Sequence, residues 1–146
     1  MSGEKNYECL RLGNQMCFPL YAASREIVSR YKAPLDEIGL TYTQYITMLV
    51  VWEHNVISVK DIGKLLYLDS GTLTPLLKKL EQKGYIERKR DSSDERLLNV
   101  SLTEEGLALR DKALEVPEKV ACTIDLAPEE VSFLCRILHK LIGEKE

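Results

Sequence analysis

Four cysteines and one run of hydroxyl-bearing and basic residues hold most of the chemistry available to this chain. The cysteines are Cys9, Cys17, Cys122 and Cys135. A thiolate attacks peroxides, and the product passes from sulfenic acid to a disulfide or to higher oxides. Donors aimed at the sulfur favour the anion that reacts. Tyr21 follows Cys17 by four residues, so a continuous helix puts both on one face. The competing reading is the more ordinary one: cysteines and tyrosines are common core residues, and buried cysteines are usually inert. Spacing alone favours this second reading. There is no Cys-x-x-Cys pair, and His54 and His139 stand at no metal-ligand spacing from the cysteines. Neither a metal nor a cofactor is expected. Without a Gly-rich phosphate loop, a nucleophile elbow or a paired-histidine motif, a metabolic enzyme is not expected either.

The second group lies within residues 69–103. Leu73, Leu76, Leu77 and Leu80 fall at i, i+3, i+4 and i+7, the spacing of one buried helical stripe. The opposite face carries Lys78, Lys79 and Gln82, with Ser70, Thr72 and Thr74 near its start. Such a face can enter a DNA major groove and meet phosphates and base edges. Most amphipathic helices are merely solvated on their polar side, but the residues that follow point to more. Gly84 ends the helix. Residues 85–90 then read as a strand and 97–102 as its return, joined by the polar tip Asp-Ser-Ser-Asp-Glu-Arg. Arg96 on that tip can reach into a minor groove, where negative potential favours a guanidinium. Asp94 can brace it, and Arg88 and Arg90 can support phosphates. The chain as a whole is acidic, with 20 Lys+Arg against 23 Asp+Glu. Residues 70–90 reverse that, with six basic side chains against two acidic ones. A focused basic patch serves as a DNA footprint because affinity depends on charge near the phosphates.

The elements that must position these groups are nearly all helical. A first helical region covers about residues 7–38, with apolar Leu10, Cys17, Leu20, Tyr21, Ile27, Val28, Tyr31 and Leu35. Pro19 interrupts it, so the helix either kinks near Cys17 or restarts there with Pro19 in its first turn. Thr41-x-x-Gln44 is a capping box for a second helix, with Tyr45, Met48, Leu49 and Trp52 inward. Ser58 caps a third, burying Val59, Ile62, Leu65 and Leu66. Asp69 or Ser70 opens the fourth, and Pro75 lies at or just past its first turn. Thr103 caps a fifth, Pro117 interrupts it, and Pro128 begins the sixth. The last helix is expected to bury Val131, Leu134, Cys135, Leu138, Leu141 and Ile142.

At 146 residues, with 45% hydrophobic and 29% charged residues, the chain is expected to form one globular domain over 1–146. No apolar run is long enough for a membrane span and no signal peptide opens it, so no membrane partner is expected and the location is read as cytoplasmic. The fold class is mainly α with a small β-wing. A winged helix-turn-helix covers about residues 40–102. Helices at about 7–38 and 104–146 form a dimerisation region, since their apolar stripes exceed the needs of a small winged domain and suit a symmetric homodimer.

That order of elements resembles the MarR family of dimeric bacterial transcription regulators. Closer likeness lies in Asn-Gln-Met-Cys-Phe-Pro-Leu-Tyr at 14–21 and its continuation to Lys32. It extends to Leu-Thr-Tyr-Thr-Gln-Tyr at 40–45, Tyr-Leu-Asp-Ser-Gly-Thr-Leu-Thr-Pro at 67–75, and Asp-Glu-Arg at 94–96. These segments are similar to the organic hydroperoxide resistance regulators, and the likeness spans nearly the whole chain. It implies that Cys17 is a peroxide sensor and that Tyr21, Tyr31 and Tyr42 hydrogen-bond its thiolate, some from the other subunit. Regulators of this subfamily are of a one-cysteine or a two-cysteine kind. In the second, a cysteine near the C-terminal helices resolves the sulfenic acid as an intersubunit disulfide, and Cys122 occupies that place. The resemblance implies a repressor of a palindromic double-stranded operator, released by organic hydroperoxide. The alternative is a MarR-type regulator released by a small aromatic ligand in the dimer cleft, with Cys17 structural. A thiol peroxidase would leave the winged region idle, and a protein-binding winged module would show no DNA affinity.

Overall fold

The computed structural model describes residues 5–143. Two short 3-10 turns, Glu8–Leu10 and Leu12–Asn14, precede α1 (Cys17–Arg30). Pro19 is therefore the third residue of a restarted helix, where its missing N–H has no partner to lose. The long first region breaks a second time at Tyr31, before α2 (Lys32–Glu37). Pro34 cannot donate to the carbonyl of Arg30, which is where a continuous helix would need it.

The centre of the molecule is α3 (Tyr42–His54). Its capping box forms as expected: Thr41 Oγ1 accepts from Gln44 N at 3.3 Å, and Gln44 Oε1 accepts from Thr41 N at 3.1 Å. Tyr45, Met48, Val51 and Trp52 turn inward, whereas Leu49 is exposed. A short strand that the residue pattern did not reveal follows, β1 (Val56–Ser58). Then come α4 (Val59–Leu66), α5 (Ser70–Gln82), β2 (Ile86–Arg90) and β3 (Leu98–Leu102). The sheet is antiparallel in the order β1-β3-β2, with Ile57 opposite Val100 and Arg88 opposite Val100 on its other side. Three residues of β1 carry too little alternation to be read from sequence.

Ser58 caps α4 as expected, but of the four side chains assigned to its buried face only Ile62 is fully inside. Val59 and Leu66 are half-buried and Leu65 is exposed. Ile62 joins Met48, Val51, Leu73, Leu77, Leu80, Ile86 and Val100 in one core, each 1% exposed or less. α6 (Glu104–Ala113) and α7 (Val116–Ala121) close it with Leu109, Ala113, Val116 and Val120.

α8 (Pro128–Ile142) starts with proline, and Glu130 Oε2 accepts from Ala127 N at 2.8 Å. Here the expectation fails within one chain. Val131, Leu134, Cys135, Leu141 and Ile142 are exposed and Leu138 is only half-buried. α1 likewise buries none of its residues. Both helices extend from the winged body with apolar faces that the other described residues leave largely uncovered. No helix among the described residues is long and apolar enough to cross a membrane.

Candidate nucleic-acid interface and thiol positions

The leucines of α5 lock that helix against α3 and α4, which decides what it presents outward. Asp69 Oδ1 caps it, accepting from Thr72 N at 2.7 Å. At 100° per residue, Gly71, Pro75, Lys78 and Gln82 lie directly opposite the buried stripe. Ser70, Thr74, Thr72 and Lys79 flank that line, and all eight are exposed. The helix continues through Pro75, leaving the carbonyl of Gly71 without that donor. Gly71 and Pro75 add an apolar, low-relief stretch between the hydroxyls, which reading by charge alone had missed.

A Schellman turn ends α5. Gly84, at φ 80°, lets Tyr85 N reach the carbonyl of Leu80 (3.1 Å) and its own N reach Glu81 (2.9 Å). The chain then enters the wing, whose tip is built on Asp91. Asp91 Oδ1 accepts from Ser93 Oγ, Ser93 N (2.8 Å) and Asp94 N (3.1 Å), and Oδ2 accepts from Asn99 Nδ2 (2.9 Å). These donors, Ser93 first, hold the Asp91 carboxyl down to about 2. Asp94 Oδ1 accepts from the backbone N of Arg96 at 3.0 Å, so it shapes the loop that carries Arg96. Arg90 Nη1 donates to the carbonyl of Glu95 at 3.0 Å. Arg96 itself is exposed at the tip. Asp91 and Asn99 shape the tip, a part that the sequence reading did not give them. The signal was available for Asp91, because an aspartate two before a serine in a tight turn is a recurrent side-chain-to-backbone motif.

The basic side chains of this region are not equivalent. Lys89 pairs with Glu87 (2.9 Å), Lys83 Nζ donates to the carbonyl of Gly39, and Arg88 is held by Glu81 (2.8 Å) with its side chain only 21% exposed. Lys78, Lys79 and Arg96 carry the charge that faces outward.

The thiols lie elsewhere. Cys17 is the first residue of α1 and is exposed, at the helix end where negative charge is favoured. Tyr21 shares its face, and the guanidinium of Arg25 lies 5.6 Å from the Tyr21 ring centroid. Tyr31 and Tyr42 meet edge to face at 5.0 Å, and Tyr45 lies 5.8 Å from Tyr31. Burial first, and the neighbouring Tyr31 next, raise the pKa of Tyr42 and of Tyr45, so both hydroxyls stay protonated donors at neutral pH. Fourteen residues of helix separate Cys17 from Tyr31, which is about 21 Å along the axis. Within one protomer the Tyr31–Tyr42 cluster and Cys17 are thus at opposite ends of α1.

Cys122 caps the end of α7 and is exposed. It belongs to the far end of α1 as well, because Arg30 Nη1 donates to the carbonyl of Thr123. Lys119 pairs with Glu37 (2.6 Å) and Glu115 (3.2 Å) and draws α7 onto α2. Cys9 is exposed in the first 3-10 turn, its carbonyl held by Gln15 Nε2 at 2.6 Å. Cys135, expected in the core, is exposed on α8. Among the described residues no group of histidine, cysteine and carboxylate side chains could hold a metal.

Residues 29–113 match the family model described as transcriptional regulator SarA/Rot. The chain is 45% identical over 139 residues to the organic hydroperoxide resistance transcriptional regulator of Bacillus subtilis strain 168, covering 95% of each. It is 40% identical over 133 residues to the HTH-type transcriptional regulator SarZ of Staphylococcus aureus, covering 91% of this chain and 90% of that one. Its fold aligns with AbfR of Staphylococcus epidermidis. The overoxidised, DNA-bound form of AbfR gives a TM-score of 0.75 at 37% identity, over 92% of this chain and 95% of the other. The disulfide form gives 0.63 at 36% identity, over 92% of each.

Proposed function

As this chain belongs to the MarR family of transcriptional regulators, we propose that it is a homodimeric repressor of a palindromic double-stranded DNA operator. Organic hydroperoxide releases it by oxidising Cys17. Ser70, Thr72, Thr74, Lys78 and Lys79 on α5 enter the major groove, and Arg96 on the wing enters the adjacent minor groove. Arg90, through its contact with the loop, supports the wing beside the phosphates.

One observation carries the sensing half. Cys17 is exposed at one end of α1, while the tyrosine donors and Cys122 belong to the other end. A helix about 20 Å long keeps them apart in one chain, and α1 and α8 offer uncovered apolar faces for a partner. Two copies packed with α1 antiparallel bring the Tyr31–Tyr42 cluster and Cys122 of one subunit to Cys17 of the other. Tyr21, four residues along, approaches the same sulfur from its own chain. The thiolate attacks the peroxide, giving sulfenic acid and the alcohol. The partner's Cys122 thiol then displaces the oxygen as water and forms the intersubunit disulfide. Bridging needs the two Cα atoms within about 7 Å, so it draws α1 and α7 together across the dimer. It moves the two reading heads out of register with successive grooves.

The test uses non-reducing electrophoresis and operator release after stoichiometric cumene hydroperoxide. Wild type should run as a covalent dimer and leave the DNA. Cys17→Ser should bind DNA and stay bound, and Cys122→Ser should form no covalent dimer. Tyr42→Phe should bind DNA normally and oxidise more slowly. Release that persists in Cys17→Ser refutes the sensor. A covalent dimer that persists in Cys122→Ser refutes the resolving role. A second reading has its own observation: a cavity of about 300 Å³ is lined by Val28, Leu35, Leu40 and Tyr42 and also by Ser29, Lys32, Asp36 and Thr41. It has the size and the mixed apolar and polar walls to take a small aromatic ligand, and release of Cys17→Ser by such a ligand without peroxide would favour it.

A further inference from the structure

Arg88 has the sequence context of a phosphate contact and the surroundings of a structural one. In β2 it falls two residues after the buried Ile86, so its side chain emerges on the inward face of the sheet, above the last turn of α5. Bonds between Tyr85 and Thr103 and between Asp91 and Leu97 show that the odd-numbered residues of β2 exchange hydrogen bonds with β3. The N–H of Arg88 therefore points away from β3, along the open edge of the sheet. Glu81, in the last turn of α5, meets both groups. Its Oε1 accepts from Arg88 N at 3.0 Å, and its Oε2 accepts from Nε at 3.2 Å and Nη2 at 2.8 Å. Three donors on one carboxylate hold the Glu81 carboxyl below its usual range, with the guanidinium the larger cause.

We propose that Glu81 and Arg88 form a strut that fixes the angle between the recognition helix and the wing, so that both meet DNA at once. The inference rests on the DNA-binding reading. α5 and β2 also meet at the Gly84 turn and through the buried side chains of Leu80 and Ile86, all at the base of the wing. Those contacts hold only the base of the strand, whereas an ion pair whose carboxylate also accepts from the backbone holds it at Arg88, nearer the tip. Holding two contact elements in their bound arrangement before binding removes an ordering cost that the complex would otherwise bear. Arg88 and Glu81 are positioning residues in this scheme and add no net charge at the phosphates.

The experiment uses the full-length protein and a duplex that wild type selects from a random library. Glu81→Gln and Arg88→Met should each weaken binding by about tenfold. Both should keep guanine N7 protection in the major groove and lose hydroxyl-radical protection where the wing lies. Their salt slopes should match each other, because both variants lose the same wing contact. Lys79→Met is the control for a true phosphate contact, and two copies per dimer should lower the slope of log K on log salt by about 1.8. In an Arg96→Ala background Glu81→Gln should cost little more, because a wing that cannot read has nothing left to lose from misplacement. Glu81→Gln preserves shape and volume, so it separates strut loss from unfolding. Three results overturn the proposal: a salt slope that falls by about 1.8 in Arg88→Met alone, affinity unchanged in both variants, or full additivity with Arg96→Ala. Failure of wild type to select any duplex refutes the DNA-binding reading together with the strut, whereas selection followed by indifferent variants refutes the strut alone.

Discussion

Replacing Gly106 with alanine should unlock α6 from the reading head. The new Cβ would lie 2.1 Å from the carbonyl oxygen of Tyr85, 2.8 Å from Leu102 Cδ1 and 3.0 Å from the carbonyl carbon of Tyr85. The nearest of these atoms is backbone and cannot rotate away, so the helix must move by about 1 Å to reach an ordinary contact. The site is tightly stitched. Thr103 Oγ1 accepts from Gly106 N at 3.0 Å and donates to the carbonyl of Gly84 at 2.6 Å, while Thr103 N donates to Tyr85 at 3.2 Å. Buried Trp52 Nε1 donates to the carbonyl of Gly106 at 2.8 Å. Overpacking of this kind costs about 1–3 kcal/mol, and weakening the Trp52 bond costs about 1 kcal/mol more. Alanine's better helix propensity returns about 1 kcal/mol. The balance is a loss of about 1–3 kcal/mol, and at about 2–4 °C per kcal/mol for a chain of this size the melting temperature falls by about 2–12 °C. Trp52 is the single tryptophan, so its fluorescence reports the joint directly. Urea midpoints must be compared at one protein concentration, because the proposed dimer would add to apparent stability. Gly13→Ala is the matched control, with nothing within 4 Å of its Cβ. A Gly106→Ala midpoint that coincides with wild type would show that the joint yields cheaply, and the reasoning from the short contact would be wrong.

Arg96→Ala should weaken operator binding by about 1–3 kcal/mol with the fold intact; fluorescence anisotropy across a salt series measures it, and unchanged affinity removes the wing tip from the interface. Asp91 gives a pH signature. Its carboxyl is held down to about 2, below the ordinary 3.8 of an aspartate, so its contribution to the wing is complete above about pH 4 and is lost as pH falls through about 2. Asp91→Asn should abolish that low-pH step and loosen the wing, seen as faster exchange of the Ser93 and Asp94 amides. Equal exchange rates in the two proteins would mean that Asp91 does not organise the tip.

Local chemistry was enough to determine which elements form. The Thr41–Gln44 box, the Ser58, Asp69 and Thr103 caps, the leucine stripe of α5 and the Gly84 stop are all written within four residues of where they act, and side-chain-to-backbone bonds of that range need no tertiary context. The winged helix-turn-helix, with basic and hydroxyl residues on the outer face of α5, was legible for the same reason. β1 was not, since three residues become a strand only when β3 is present to pair with them. What covers α8 was not legible, because a stripe of Val131, Leu134 and Leu138 states that a face is apolar and not which surface meets it. The pairing of Arg88 was not legible because its partner Glu81 is reached only after the chain reverses at Gly84. Sequence set the residue types and their phase on each helix. Tertiary structure alone decided which cations face outward, and that one long helix stands between Cys17 and the groups that would act on it, because both depend on distances that separation along the chain does not encode.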